Sequence, residues 1–316
     1  MEKESIRVTA LGELLIDFAQ TGADSQGYPA LKANPGGAPA NFLCTLAELG
    51  VRTAIAGKVG DDTFGHLLTQ TLKDNCVETR GLIRDKSVFT TLAFVTLDEK
   101  GNRDFAFSRK PGADTCISFE EIDLTLIDEC EVFHFGSLSL TDEPSRTATY
   151  KAVEYAKNNG KLISYDPNLR KPLWSDTEEA KRQILWGLAQ ADIVKISDDE
   201  IDFLFGIAPS EGAQYIIENY GAMLVFVTCG EKGCYYANRN GKGFTPAMKD
   251  INVVDTTGAG DIFAGSVIFN LLEMKKQPEC LTESDLSEIA EFATRVAGLS
   301  TEKYGGISSV PDKSEL

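Results

Sequence analysis

Histidine is nearly missing from this chain: of 316 residues, only His66 and His134 are histidine. Two such residues, far apart in sequence, exclude a histidine-rich metal centre. No CxxC pair occurs, and the seven cysteines (Cys44, Cys76, Cys116, Cys130, Cys229, Cys234 and Cys280) are scattered and odd in number. That usage suits a reducing compartment, with thiols as small core residues rather than a disulfide framework. No apolar run approaches the roughly 18 residues that span a bilayer. The opening residues, Met1-Glu2-Lys3-Glu4-Ser5, hold no apolar signal core. These absences describe a soluble, cytoplasmic protein.

Positive charge is also in short supply. Lys plus Arg is 31 against 48 Asp plus Glu, a formal net charge of −17. So acidic a surface repels phosphate backbones and anionic headgroups, which excludes nucleic acids and membrane surfaces as partners. An anionic small molecule would need a local positive pocket. With 42% hydrophobic and 25% charged residues, the chain otherwise has globular composition and enough length for a large core. GxxxxGK[ST] is absent, which excludes a P-loop. The first strand leads into Gly12-Glu13-Leu14 rather than GxGxxG, which excludes a dinucleotide-binding dehydrogenase.

What is present is alternation. Strand-type runs at residues 6–11, 53–59, 131–135, 161–165, 192–196, 223–228 and 233–237 are interleaved with helical runs. The helical runs lie at 38–49, 64–74, 143–157, 178–189, 262–274 and 284–299. This rhythm predicts an α/β fold, a largely parallel sheet with helices on both faces. No linker or repeat divides it, so residues 1–316 read as one domain. Runs at 90–97 and 103–108 flank the turn Asp98-Glu99-Lys100-Gly101-Asn102 and predict a hairpin. Runs at 14–18 and 28–33 are strands with no helix after them. Segments within 12–35 and 88–110 therefore make a small second sheet, either an edge hairpin or a lid over a site at the strand ends. Leu92, Phe94 and Phe105, taken as its outer face, would offer a homodimer contact.

The chemistry concentrates in Asp255-Thr256-Thr257-Gly258-Ala259-Gly260-Asp261. Residues 251–254 read as an apolar strand entering this turn, and an apolar helix follows it. Backbone N–H groups at Gly258, Ala259 and Gly260 open a helix and can hold an anion such as a phosphoryl group. Asp261, in the first turn, can take the proton of an attacking hydroxyl. A second cluster is Asn34-Pro35-Gly36-Gly37-Ala38-Pro39-Ala40-Asn41, where Gly36-Gly37 admits close backbone approach and Asn41 offers donor and acceptor. Taken alone, either string also fits a plain loop-to-helix junction.

Together, in this order and separation, the two strings resemble the signatures of the PfkB, or ribokinase-like, sugar kinases, and the resemblance covers essentially the whole chain. It implies a three-layer α/β/α fold with a mostly parallel central sheet and a small β lid. It also implies ATP as phosphoryl donor, Mg²⁺, and a sugar hydroxyl as acceptor. Asp261 would be the general base and Gly258, Ala259 and Gly260 the anion hole. Asp17, in a first-strand string Gly12-Glu13-Leu14-Leu15-Ile16-Asp17, would hold sugar hydroxyls. Thr228, Gly230 and Gly233 would lie along the ATP. Glu200 keeps the acidic end of the family's N-x-x-E and would organise Mg²⁺ through water. Ser197 replaces that asparagine, and Lys195 would supply part of the phosphate binding. Asp255, Thr257, Ser300, Gly305 and Ser309 mark loops whose carbonyls can hold K⁺.

Three further strings resemble the fructokinase subgroup: one around Phe107 and Arg109, one at residues 133–140, and Tyr165-Asp166-Pro167-Asn168-Leu169-Arg170. They add Phe107, Arg109, Asn168 and Arg170 to the sugar site and make fructose the expected substrate. A 2-keto-3-deoxygluconate kinase is the alternative, with Arg109 or Arg170 on the carboxylate. A non-catalytic sugar sensor is the alternative of another class. His134 reads as a core histidine.

Overall fold

The computed structural model describes residues 5–97 and 103–316. In chain order its elements are β1 (Val8–Leu11), β2 (Leu15–Ala23), β3 (Pro29–Gly36), α1 (Ala38–Glu48), β4 (Thr53–Gly60), α2 (Thr63–Asp74), β5 (Glu78–Asp85), β6 (Thr91–Leu97) and β7 (Arg103–Ser108). There follow α3 (Leu124–Glu129), β8 (Val132–Gly136), α4 (Ser145–Asn158), β9 (Leu162–Asp166), α5 (Thr177–Gln190), β10 (Ile193–Ser197), α6 (Asp198–Phe205) and α7 (Pro209–Tyr220). The chain closes with β11 (Leu224–Thr228), β12 (Gly233–Asn238), β13 (Lys242–Pro246), α8 (Ala259–Met274) and α9 (Glu283–Ser300).

Among these residues the larger sheet has nine strands in the order β13-β12-β11-β10-β9-β8-β1-β4-β5. It is parallel from β5 across to β11, and β12 and β13 close it antiparallel. Buried residues alternate between its two faces. Ile55, Val132, Ile193, Leu224 and Phe226 pack with α1, α8 and α9, while Ala54, Phe133, Val194, Val225 and Val227 pack with α4 and α7. A sheet buried on both faces between helical layers is the expected three-layer architecture. Among the described residues no helix is long and apolar enough to cross a membrane.

The second sheet has the order β3-β2-β6-β7. The turn expected at 98–102 and the side chain of Phe105 lie outside the described residues. Two expectations need correction. Leu92 and Phe94 do not form an outer, partner-ready face. Leu92 packs on the main core, and Phe94 stacks on Phe18, which meets Phe64 of α2 edge-on. The Leu92 and Phe94 side chains are both half-buried, and α2 reaches that face through Phe64 on Phe18. Residues 251–254 are irregular rather than a strand, with Val253 and Val254 exposed. Their backbone leans on the far loop instead, Val254 and Asp255 N–H both donating to Thr301 O.

Candidate active site

The C-terminal ends of β8, β9, β10 and β11 point to one edge of the large sheet, where open α/β sheets place their ligands. Over that edge, between the small sheet and the start of α8, lies a cavity of about 490 Å³. Asp17, Gly37, Asn41, Phe107, Asn168, Arg170, Lys195, Asp255, Thr257, Gly258, Gly260, Asp261 and Gly305 all line it. Residues spread over nearly 300 positions of sequence thus converge on one site.

Asp261 is at its centre. It is buried in the first turn of α8, beside Gly258, whose φ of 79° suits glycine alone at this helix start. Asn41 Nδ2 donates to Asp261 Oδ2 at 2.8 Å, and Asn168 Nδ2 donates to Asp261 Oδ1 at 3.1 Å. Asn168 has φ 48°, a left-handed conformation asparagine tolerates, which leaves it beside Asp261 at the end of β9. Gly260 is close to a cation: a Cβ there would sit 2.7 Å from Lys195 Nζ. Lys195 in turn donates to Asp166 Oδ2 at 3.0 Å. The Ala259 N–H turns away to Thr256 O at 3.3 Å, and Ala259 does not line the cavity.

Asp17 projects from β2, and Gly36 opposite leaves it room, since a Cβ there would lie 2.5 Å from Asp17 Oδ2. Glu13 accepts the Ala38 N–H at 3.1 Å and so holds the start of α1 with Asn41 in its first turn. At the far loop, Asp255 Oδ2 accepts the Gly305 N–H at 3.0 Å and Oδ1 accepts from Thr257. The two loops that flank Gly258 are thereby tied together. Ser300 and Ser309 lie behind them, their hydroxyls donating to Ala297 O and Gly306 O.

The family described as pfkB family carbohydrate kinase matches residues 5–313. The chain belongs to it. Fructokinase-1 of Zea mays is 43% identical over 313 residues, 98% of this chain and 96% of that protein. A crystal structure of fructokinase with bound ATP from Xylella fastidiosa superposes with TM-score 0.90 at 29% identity, covering 98% of this chain and 96% of that one. A fructokinase from Vibrio cholerae O395 in fructose, ADP and calcium ion bound form gives TM-score 0.85 at 32% identity, covering 99% and 98%.

In this pfkB kinase several carboxyls are held above their ordinary range. Burial raises Asp261, against the Asn41 hydrogen bond and the charges of Lys195 and Arg170. Burial also raises Asp17 to about 6, opposed by Arg170, and Glu13 to about 7. Lys195 is held above its usual value because the Asp166, Glu200 and Asp261 charges outweigh its burial. His134 is buried, stacks on Phe42 and hydrogen-bonds Ser164, and burial lowers it to about 3. It is a neutral core residue.

Some expected residues stand outside the cavity. Arg109 is buried, and its guanidinium is spent on Asp114, Thr141 and the Leu138 carbonyl. It does not reach the sugar site, because this network holds all of its fork. Ser197 caps α6, receiving the Glu200 N–H and donating to Glu200 Oε2 at 2.9 Å. Glu200 Oε1 accepts from Leu169 N at 2.7 Å, which steadies the segment carrying Asn168 and Arg170. Thr228 is the register partner of Ser197, so the 228–233 turn continues the same edge beyond the cavity. Within that turn Gly230 and Gly233 have φ of 52° and 125°. Sequence reasoning missed Glu13 and Asp166 as site carboxyls. Both stand inside quoted strings, but their burial shows only once α1 and β10 are packed.

Proposed function

We propose that this carbohydrate kinase is a fructokinase, transferring the γ-phosphoryl group of ATP to the 6-hydroxyl of D-fructose. The observation that carries the reading is the buried Asp261 carboxylate, held by Asn41 and Asn168 at the start of α8 and lining the cavity over the strand ends. The sugar would lie against Asp17, Gly37, Asn41, Phe107 and Arg170. Asn41 Oδ1 is buried without a hydrogen-bond partner among the described residues. A hydroxyl donor would satisfy it.

Asp261 would take the proton of the attacking hydroxyl as the O–P bond forms, and its raised proton affinity favours that step. The first-turn backbone and dipole of α8, with Lys195, would stabilise charge on the transferring phosphoryl group. ATP would extend from there along the 228–233 turn. The small sheet would act as the lid, excluding water that could otherwise accept the phosphoryl group. Mg²⁺ neutralises phosphate charge in such transfers. Glu200, with both oxygens already accepting protein hydrogen bonds, fits a hold on that ion through water rather than direct ligation. K⁺ would be held by carbonyls near Asp255, Thr257, Ser300, Gly305 and Ser309. The Asp255–Gly305 bond, which gathers these loops, supports that placement.

Three carboxyls, Glu13, Asp17 and Asp261, line the sugar end of the cavity against Arg170. That balance favours a neutral sugar over 2-keto-3-deoxygluconate, whose carboxylate they would repel. A lid-to-lid homodimer would use the exposed Tyr28, just before β3, and Leu31 on β3; sedimentation of the purified chain tests it. The seven free thiols suit a cytoplasmic setting. The functional reading is tested by ADP release across fructose, ribose, glucose, adenosine and 2-keto-3-deoxygluconate. Fructose should give the highest kcat/KM. A tenfold preference for another sugar would overturn the substrate and leave the kinase.

A further inference from the structure

The small sheet is joined to the large one by four chain crossings, and two of them meet in one buried cluster. Thr91 opens β6, and Arg109 follows directly on β7. Both bond the same carboxylate. Thr91 Oγ1 donates to Asp114 Oδ1, and Arg109 Nε donates to Asp114 Oδ2 at 2.7 Å. The Arg109 and Asp114 side chains are each 2% exposed. The other arm of the guanidinium reaches the large sheet's side. Arg109 Nη2 donates to Leu138 O at 2.9 Å and Nη1 to Thr141 Oγ1 at 2.7 Å. Leu138 lines the cavity, as does Phe107, two residues before Arg109. Gly112 is forced by the same packing, since a Cβ there would lie 1.8 Å from Thr91 Oγ1.

We propose that Asp114 and Arg109 are positioning residues that lock the base of the β6–β7 hairpin to the Leu138 wall of the sugar cavity. They touch no substrate. A buried pair of this kind contributes little net stability but fixes one arrangement, because any other leaves a charge unpaired in the interior. Val95 of β6 and Phe107 of β7 line the cavity, so the tilt of these strands sets how completely the cavity closes. The role rests on the sugar-kinase reading above, but not on which sugar is used.

The test uses Thr91→Val, which removes one hydrogen bond with little change of volume, and Arg109→Lys, which keeps the charge and loses the fork. For each, the sugar KM, the ATP KM, the ADP released per sugar phosphate formed and the hydrogen exchange of residues 91–97 are measured. The sugar is whichever one the wild-type chain phosphorylates best. Thr91→Val should raise the sugar KM about fivefold, the worth of one hydrogen bond. ATP KM should stay within about twofold. ADP release should exceed sugar phosphate as water enters, and exchange at 91–97 should quicken. Arg109→Lys should do the same more strongly. Unchanged stoichiometry and unchanged exchange in Thr91→Val would overturn the proposal. So would a parallel rise of both KM values with a lowered Tm, which is what a merely structural contact would give. If no sugar is phosphorylated by the wild type, the kinase reading fails, and the exchange measurement still decides whether the cluster locks the hairpin.

Discussion

Asp261 is held by two amides, Asn41 from the first turn of α1 and Asn168 from the end of β9, and that is why it can be both buried and reactive. Amide donors steady the carboxylate without neutralising it, so burial still raises its proton affinity. Asp17 and Glu13, nearby, are raised to about 6 and about 7. The consequences for stability and for activity have opposite signs. A carboxyl whose folded value exceeds its unfolded one stabilises the fold below the unfolded value, and that contribution is lost as pH rises through about 6 to 7. Activity needs the ionised forms, which accept hydroxyl hydrogens. The fructose kcat/KM should therefore fall as pH drops through about 6, while these two groups do not unfold the chain. A pH–rate profile checks this. Asp17→Asn should flatten the limb near 6 at a lower overall rate, and an unchanged limb would remove Asp17 from the sugar site.

Residue by residue, the polar ends of fixed strings were the legible part of the site. Asn41, Asn168, Arg170, Gly258 and Asp261 lie in the cavity where their strings implied. Arg109 was not legible, because its role depends on Asp114 and on Leu138 and Thr141, far along the chain. An arginine in a loop looks the same in sequence whether it faces a ligand or a buried partner.

At the scale of elements, most expected strands and helices fell within two residues of their bounds, but β2 runs five residues past the expected end, β3 runs three past it, and α8 starts three residues earlier than expected. β5 and β13 were missed. β5 is interrupted by charged residues, Glu78, Arg80 and Arg84, and β13 holds Gly243 and ends on Pro246, as edge strands do. α3, α6 and α7 were also missed: α3 and α6 are short, at six and eight residues, and α7 begins at Pro209. Residues 251–254 look like a strand by composition, yet the sheet has no place for them beside α8. The loop after α9 bears directly on the site. Gly306 presses on Asn41, and a Cβ there would lie 2.4 Å from Asn41 Oδ1. Gly306→Ala should push the Asn41 amide off Asp261 and lower kcat by about tenfold or more, one lost bond at about 1.4 kcal/mol. Circular dichroism and Tm should stay near wild type. A variant with full kcat would show that the Asn41–Asp261 bond does not matter to the reaction.

On the scale of the molecule, the fold was readable because strand–helix alternation leaves few topologies, and the small sheet was readable because its strands break that rhythm. Which face of the small sheet is free was not readable. Alternation marks two faces on each strand but does not say which one the chain's own α2 will reach. The assembled whole brings α1, β2, β9, β10 and α8 around one carboxylate, and the account stands or falls on that carboxylate acting as a base. The direct measurement is Asp261→Asn, assayed for turnover and, by titration calorimetry, for binding of fructose and of a non-hydrolysable ATP analogue. Loss of a general base costs about 10²–10⁴ in rate, whereas binding should change by less than about tenfold, because the remaining contacts are untouched. Retention of more than a tenth of the wild-type kcat would contradict the account and leave Asp261 as no more than an acid at a helix start.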